Sequence, residues 1–141
     1  MKWTAICSVL GAIGSGIAYL LGGWDSSIQT LLIFIAVDYI TGLIVAGVFH
    51  NSQKSSSGAL ESKAGFKGLI RKCMILICVM ISQRFDLELG TDYFRNCVVI
   101  AFMVNEAISI LENAGLMGLP IPKALTNAID VLKSKGEKAD A

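Results

Sequence analysis

Residues 3–24 read WTAICSVLGAIGSGIAYLLGGW and contain no charged side chain. A helix of this length, at about 1.5 Å of rise per residue, extends roughly 33 Å, which is enough to cross a bilayer hydrocarbon core of about 30 Å. Inside that core a helix satisfies its backbone hydrogen bonds internally, whereas an open sheet does not. The stretch therefore predicts an all-α membrane protein that forms a bundle or hairpins of helices.

Three more apolar stretches follow within the 141 residues of the chain. The third is the weakest, because only residues 73–83 lack a charge, and they give roughly 16 Å of helix. For this stretch to cross, its flanking charges must snorkel or pair near the interface, or the membrane must thin. A re-entrant or interfacial helix is the alternative. We predict a transmembrane domain of residues 1–112 with four spans, at about residues 3–24, 28–49, 69–89 and 93–111.

The remaining residues, 113–141, are predicted to lie in the cytoplasm. Pro122 suits the first turn of a helix, because proline has no N–H group to pair there. The apolar residues that follow it keep helical spacing: Leu125, Ala128, Ile129 and Leu132. We therefore predict a short amphipathic helix before a polar tail at residues 134–141.

The composition argues against several classes of function. Hydrophobic residues make up 54% of the chain and charged residues 16%, whereas about 25% of an average soluble domain is charged. Four spans leave too little polar chain for a catalytic domain, so we predict no enzymatic activity and no catalytic, cofactor or metal site. The net charge of +1 gives no reason to expect a nucleic-acid partner. The cysteines form no Cys-x-x-Cys pair and are predicted to be free thiols: Cys7, Cys73, Cys78 and Cys97.

The distribution of charge predicts the topology. Between residues 51 and 72 the chain carries five basic residues against Glu61, whereas the short links at Asp25 and around Gly90 are acidic. Basic loops remain in the cytoplasm, so both termini are predicted to be cytoplasmic. The lysines of the loop, with Phe66, are alternatively suited to lie on an anionic leaflet. The first apolar stretch is too long for a cleaved signal peptide, and we expect it to remain as a span.

Two carboxylates interrupt the predicted spans. Asp38 lies near the middle of the second span, where an ionised side chain is costly unless it has a partner, a wet cavity or a proton. A lone carboxylate in hydrocarbon would be neutral, so we expect Asp38 to gain a polar environment only when chains assemble. Asn105 and Glu106 lie in the cytoplasmic half of the fourth span. Glu106 either pairs across helices, faces a water-filled lumen or snorkels to the interface.

Small residues recur at four-residue intervals on two predicted spans. Ser8, Ala12 and Gly16 form such a stripe on the first span, and Gly42 and Ala46 form a shorter one on the second. Small side chains let membrane helices approach closely, because packing drives helix association in lipid. We predict that these residues form contacts between helices or between copies of the chain. The alternative is that small residues are simply common in membrane helices.

Four segments occur in a definite order along the chain. They are Asp38-Tyr39-Ile40-Thr41-Gly42 with Ala46, the lead-in of residues 65–72, NEAISILEN at residues 105–113, and Leu119-Pro120-Ile121-Pro122 followed by Leu125. In order and spacing the chain resembles the phage holin family of the toxin-secretion or phage-lysis type, over nearly its whole length. The resemblance implies a small protein of the cytoplasmic membrane that accumulates, forms large oligomers and opens lesions at a programmed time.

The resemblance also implies the partners of the protein. These are the lipid bilayer, further copies of the same chain, and an endolysin, or in some relatives a toxin, as released cargo. We therefore predict a holin, with eight residues as oligomerisation or pore candidates: Ser8, Ala12, Gly16, Asp38, Gly42, Ala46, Asn105 and Glu106. Two other functions fit the residues: a small cation channel or carrier subunit in which Asp38 and Glu106 bind the cation, and a structural membrane scaffold.

Overall fold

The computed structural model describes residues 1–139, and these residues form five α-helices and no β-strand. The helices are α1 (Lys2–Leu20), α2 (Ser26–Gly47), α3 (Ser62–Leu89), α4 (Tyr93–Leu116) and α5 (Lys123–Ala139). The prediction of an all-α fold is confirmed. Within the described residues, α1, α2 and α4 are long and apolar enough to cross a membrane. α3 is longer than any of them but is not among these three, because it carries charges toward both of its ends.

A pair of glycines ends α1 before residue 24, where the apolar stretch stops. Gly22 and Gly23 have φ angles of +87° and +107°, a conformation that residues with a Cβ atom disfavour. Their N–H groups donate to carbonyls of the last turn of α1, which closes the helix. The Asp25 side chain then accepts a hydrogen bond of 2.9 Å from the Ile28 N–H and caps α2.

Helices α3 and α4 extend beyond their predicted apolar spans. α3 begins at Ser62 rather than at residue 69, and α4 continues to Leu116 rather than ending at residue 111. Lysine and glutamate are good helix formers wherever the chain leaves the hydrocarbon, so charge does not end a helix there. The apolar runs therefore mark only a part of each of these two helices.

Helix α5 runs through most of the segment that was predicted to be a polar tail. It reaches Ala139, since the lysine, glutamate and alanine residues of that segment favour helix. Ile129 is 8% exposed, whereas Leu125 remains 38% exposed. The last two residues of the predicted tail, 140 and 141, and the side chain of Leu132 lie outside the described part of the chain.

Helices α2, α3 and α4 form the packed part of the molecule. α4 packs along α2 and against α3, and their facing side chains enclose a small apolar core. The buried members of this core are Leu21, Ile28, Leu31, Ile75, Val79 and Val99. Many large apolar side chains on the outer surface are exposed, as expected for helices that face lipid. α1 buries no residue, and Leu21, directly after it, is the point at which it joins the core.

Candidate functional site

Three charged side chains meet between α2, α3 and α4. The Lys72 ammonium of α3 lies 2.5 Å from Asp38 Oδ2 of α2, and it also donates to Glu106 Oε2 of α4. Asp38 and Glu106 are each 1% exposed. We call Asp38, Lys72 and Glu106 the ion triad. Each helix of the packed bundle thus contributes one charge to a contact that is shielded from lipid.

Asn113 of α4 holds the Asp38 carboxylate in place. Its Nδ2 donates to Asp38 Oδ1 at 3.1 Å and to Thr41 Oγ1 at 2.9 Å, and Asn113 is itself buried. The Thr41 hydroxyl donates in turn to the Asp38 backbone carbonyl at 3.1 Å. Because buried polar groups without partners are costly, this network makes an ionised Asp38 acceptable inside the bundle.

Lys54 supplies a second cation beside the ion triad. It belongs to the loop between α2 and α3, and its ammonium lies 4.0 Å from Asp38 Oδ2 while 52% of its side chain is exposed. The triad alone has two negative charges and one positive charge. With Lys54 the charges balance, which lowers the cost of burying two carboxylates.

A cavity of about 480 Å³ opens beside the ion triad, between α3 and α4. The triad lines its polar part together with Asn105, and apolar side chains such as Ile75 and Phe102 line the rest. A volume of this size admits several water molecules or a small ligand. Among the described residues no group of three His, Cys, Asp or Glu side chains is arranged to hold a metal. The cavity therefore has a polar wall at the triad, beside which water can lie, and an apolar wall opposite it.

The expectation that Asp38 gains a polar environment only on assembly is wrong. Within a single chain, Asp38 already has Lys72 and Asn113 as hydrogen-bond partners. Asp38 is the one carboxylate of the second apolar stretch, but the fold brings it partners from two other helices. Of the three alternatives for Glu106, the structure contains pairing across helices, and the same side chain also lines the cavity.

A second polar cluster lies about 16 Å further along α4, toward its N-terminus. Arg95 Nε donates to the Leu21 carbonyl at 2.6 Å, and Arg95 Nη1 donates to Asp25 Oδ2 at 2.8 Å. We call these contacts the Arg95 clamp. Gly22 lies against it so closely that a Cβ atom there would be 2.5 Å from Arg95 Nε. The clamp attaches the link between α1 and α2 to the first turn of α4.

The Asp25 carboxylate of the Arg95 clamp is sensitive to acid. Its hydrogen bond from Arg95 lowers the pKa of Asp25, and the Ile28 N–H lowers that pKa further. Because the pKa is lower in the folded chain than in the unfolded chain, the carboxylate stabilises the fold at neutral pH. That stabilisation is lost as the pH falls through the lowered pKa. The side chain is 47% exposed, so solvent screening keeps the effect small.

Asp86, near the end of α3, caps the beginning of α4. Its Oδ2 accepts from the Arg95 N–H at 2.7 Å, and its Oδ1 accepts from the Phe94 N–H at 3.0 Å and the Thr91 hydroxyl at 2.6 Å. The first turn of a helix leaves such N–H groups without partners inside the helix. One buried carboxylate therefore joins the two helices at a tight corner.

The small-residue candidates fall into two groups. Ser8, Ala12 and Gly16 are exposed, and a Cβ atom at Gly16 would meet nothing within 4 Å. Gly42 and Ala46 instead lie within the bundle, where Ala46 is 6% exposed and a Cβ atom on Gly42 would lie 3.8 Å from the Asn113 side chain. In the described part of the chain the first stripe is thus left exposed, whereas Gly42 lies at the α2–α4 contact and Ala46 is buried facing the loop before α3.

Two residues of the site were not found from the sequence. The positive-inside pattern identifies Lys72 only as a loop cation, and Asn113 entered only through the resemblance. A signal for Lys72 existed, because it shares a helical face with the buried residues Ile75, Val79 and Asp86, at spacings of three, seven and fourteen. A lysine on the buried face of a helix predicts a carboxylate opposite it.

A protein-family profile matches most of the chain. The profile of the bacteriophage holin family matches residues 15–134, which include the whole of α2, α3 and α4 and both polar clusters. No solved structure matches the chain.

Relatives of the chain match it over nearly their full lengths. An uncharacterised protein of Halalkalibacterium halodurans is 36% identical, over 98% of this chain and 97% of its own. An uncharacterised protein of Listeria monocytogenes is 41% identical, over 89% of this chain and 86% of its own. A protein of Clostridium perfringens, described as an uncharacterised 14.9 kDa protein in the nagH 3′ region, is 34% identical over 96% of this chain and 94% of its own.

Proposed function

This chain belongs to the bacteriophage holin family, and from that premise we propose that it assembles in a bacterial cytoplasmic membrane and opens lesions at a programmed time. The lesions release an endolysin or a toxin. The protein itself performs no covalent chemistry; its action is a change in helix packing.

The observation that carries this proposal is the ion triad. Its charges are paired inside one chain, next to a cavity between α3 and α4. If α3 separates from α4 as copies assemble, Lys72 and Glu106 turn toward the new opening. Charged side chains are tolerated inside a membrane where they face a water-filled space. The apolar outer faces of the helices remain in lipid. The same chain therefore supplies the surface of a lesion that faces water and the surface that faces lipid.

We further propose that the chain crosses the membrane four times, with both termini and residues 113–141 in the cytoplasm. Two of the charges that make α3 a poor span, Lys72 and Asp86, contact other parts of the bundle instead of lipid. The 28 residues of α3 extend about 42 Å, which exceeds the hydrocarbon thickness. The basic loop before α3 supports its placement in the cytoplasm.

Release of a large reporter tests the function directly. The chain is induced alone in a bacterium that contains a large fluorescent protein in its cytoplasm. We expect growth arrest after a reproducible delay, followed by the fluorescent protein in the medium. Leakage of potassium ions with the protein retained would instead establish a small cation channel. Neither leakage nor arrest, at a verified membrane level of the chain, would favour a scaffold.

The exposed stripe on α1 supports a contact between copies. We expect Gly16→Leu to delay release or abolish it without preventing insertion, since a leucine side chain separates helices that pack through small residues. Chemical crosslinking of the membrane fraction measures the oligomers. Gly14→Leu is the matched control, because Gly14 lies on another face of α1 and a Cβ atom there also meets nothing within 4 Å. Equal oligomers and equal release times in the two variants would show that the stripe is incidental.

A further inference from the structure

One exposed face of α3 changes from basic to apolar along its length. Lys63, Lys67 and Arg71 follow one another at intervals of four residues, and all three are exposed. No described residue forms an ion pair with any of them. Residues four apart lie above one another on a helix, so the three form a single basic strip about 12 Å long.

The same face continues with apolar side chains. Met74, Ile77 and Ile81 lie close to the line of the basic strip and are 49%, 41% and 51% exposed. They extend about 10 Å further along α3, which is within the hydrocarbon thickness of one leaflet, about 15 Å. Lys72 points elsewhere: it lies about 140° around the helix from Lys67 and belongs to the ion triad. The four cations of α3 before Met74 therefore divide into Lys72, which belongs to the ion triad, and three exposed side chains. Arg71 and Met74 also line the cavity beside the triad, so the strip meets the edge of that site.

We propose that this face binds an anionic phospholipid. The phosphate group lies among Lys63, Lys67 and Arg71, and an acyl chain lies along Met74, Ile77 and Ile81. Basic side chains at a membrane surface are attracted to anionic headgroups. The apolar side chains that follow can contact an acyl chain, which a soluble anion does not have. A phospholipid in a leaflet has the same order, with a charged headgroup at the surface and apolar chains beneath it. The basic strip followed by apolar side chains therefore fits a lipid as the occupant.

Binding of this lipid sets the depth of α3 in the membrane. Arg71 and Lys72 are consecutive, so the residue that holds the phosphate is adjacent to the residue that joins Asp38 and Glu106. A bound headgroup keeps the first turns of α3 at the interface and Lys72 at the level of the two carboxylates. The proposal concerns binding by the folded chain and does not depend on lesion formation.

Titration of the full chain in detergent with phosphatidylglycerol tests the proposal, with bound lipid counted by native mass spectrometry. One basic side chain near an anionic surface strengthens binding about fivefold. We therefore expect Lys67→Gln to weaken binding about fivefold, and the triple change of Lys63, Lys67 and Arg71 to glutamine to weaken it about 100-fold. Phosphatidylcholine should bind far more weakly to the unchanged chain.

Arg84→Gln is the matched control, because Arg84 is an exposed cation on α3 that lies beyond the apolar part of the face. It should leave phosphatidylglycerol binding unchanged, and circular dichroism should show equal helix content in all variants. Equal binding by the triple variant and the unchanged chain would overturn the proposal. Displacement of the lipid by inorganic phosphate would also overturn it, since that result identifies a simple anion site.

Discussion

Replacing Lys72 with methionine is expected to destabilise the bundle by about 3–5 kcal/mol, the usual cost of removing one partner from a buried ion pair. Methionine keeps most of the length of the side chain but leaves Asp38 and Glu106 without their shared ammonium. The free energy of unfolding is measured by titrating detergent-solubilised protein with sodium dodecyl sulfate. Cys78 lines the cavity beside the triad and should react faster with thiol reagents once the exposed cysteines have been replaced.

A neutral version of the ion triad separates stability from function. Asp38→Asn, Lys72→Met and Glu106→Gln together remove every charge of the triad and leave only Lys54, whose side chain is half exposed. They should recover most of the lost stability, because no buried carboxylate is then left uncompensated. We expect this triple variant to insert and fold yet to release little reporter, since its lesions would lack charged lining. Arg84→Met, at an exposed cation of the same helix that belongs to neither the triad nor the basic strip, should leave stability unchanged. Normal release by the neutral variant would exclude the triad from lesion formation.

Gly22→Ala is expected to disrupt the Arg95 clamp and to free α1 from its fixed position. A Cβ atom at this residue would lie 2.4 Å from Gln83 Oε1 and 2.5 Å from Arg95 Nε, in a left-handed backbone conformation. Arg95 must then move away from the Leu21 carbonyl. A hydrogen bond to a charged group contributes about 1.5–3 kcal/mol, so we expect a loss of that size beyond the backbone strain.

Gly23→Ala isolates the backbone strain. Gly23 also has a positive φ, but a Cβ atom there would meet nothing within 4 Å. Spin labels on Cys7 of α1 and Cys97 of α4, with the other two cysteines replaced, measure the distance between the helices. Gly22→Ala should broaden that distance distribution well beyond Gly23→Ala. Matching distributions and stabilities in the two variants would show that the clamp does not position α1.

Periodicity and charge predict the helices of this protein more fully than they predict its polar contacts. Residues 3–24 indicate α1 because a long uncharged run has one structural solution in lipid. The end of α1 at Gly22 and Gly23 is also readable, since paired glycines permit positive φ. The start of α3 at Ser62 could not be predicted, because a lysine-rich segment outside the membrane forms a helix as readily as a loop.

Two of the three residues of the ion triad were predicted as candidates, and the third was missed for a reason of geometry. Asp38 and Glu106 are conspicuous because each interrupts an apolar run, whereas Lys72 stands at the end of a basic segment and looks like an ordinary loop cation. Its direction depends on the register of α3 against two other helices. The role of Asn113 could not be predicted for the same reason. An asparagine near the end of a helix is common, and its contact with Asp38 exists only because α2 packs beside α4.

If α3 crosses the membrane, as proposed above, the corner made by Asp86 has a consequence for how the chain enters the membrane. The carboxylate finds its backbone partners only in the first turn of α4, so α3 by itself would bring an uncompensated charge toward the lipid. An insertion machinery that releases helices one at a time would reject α3. It would have to retain α3 until α4 has been synthesised and then release the two together, which makes this hairpin the smallest unit of biogenesis in the second half of the protein.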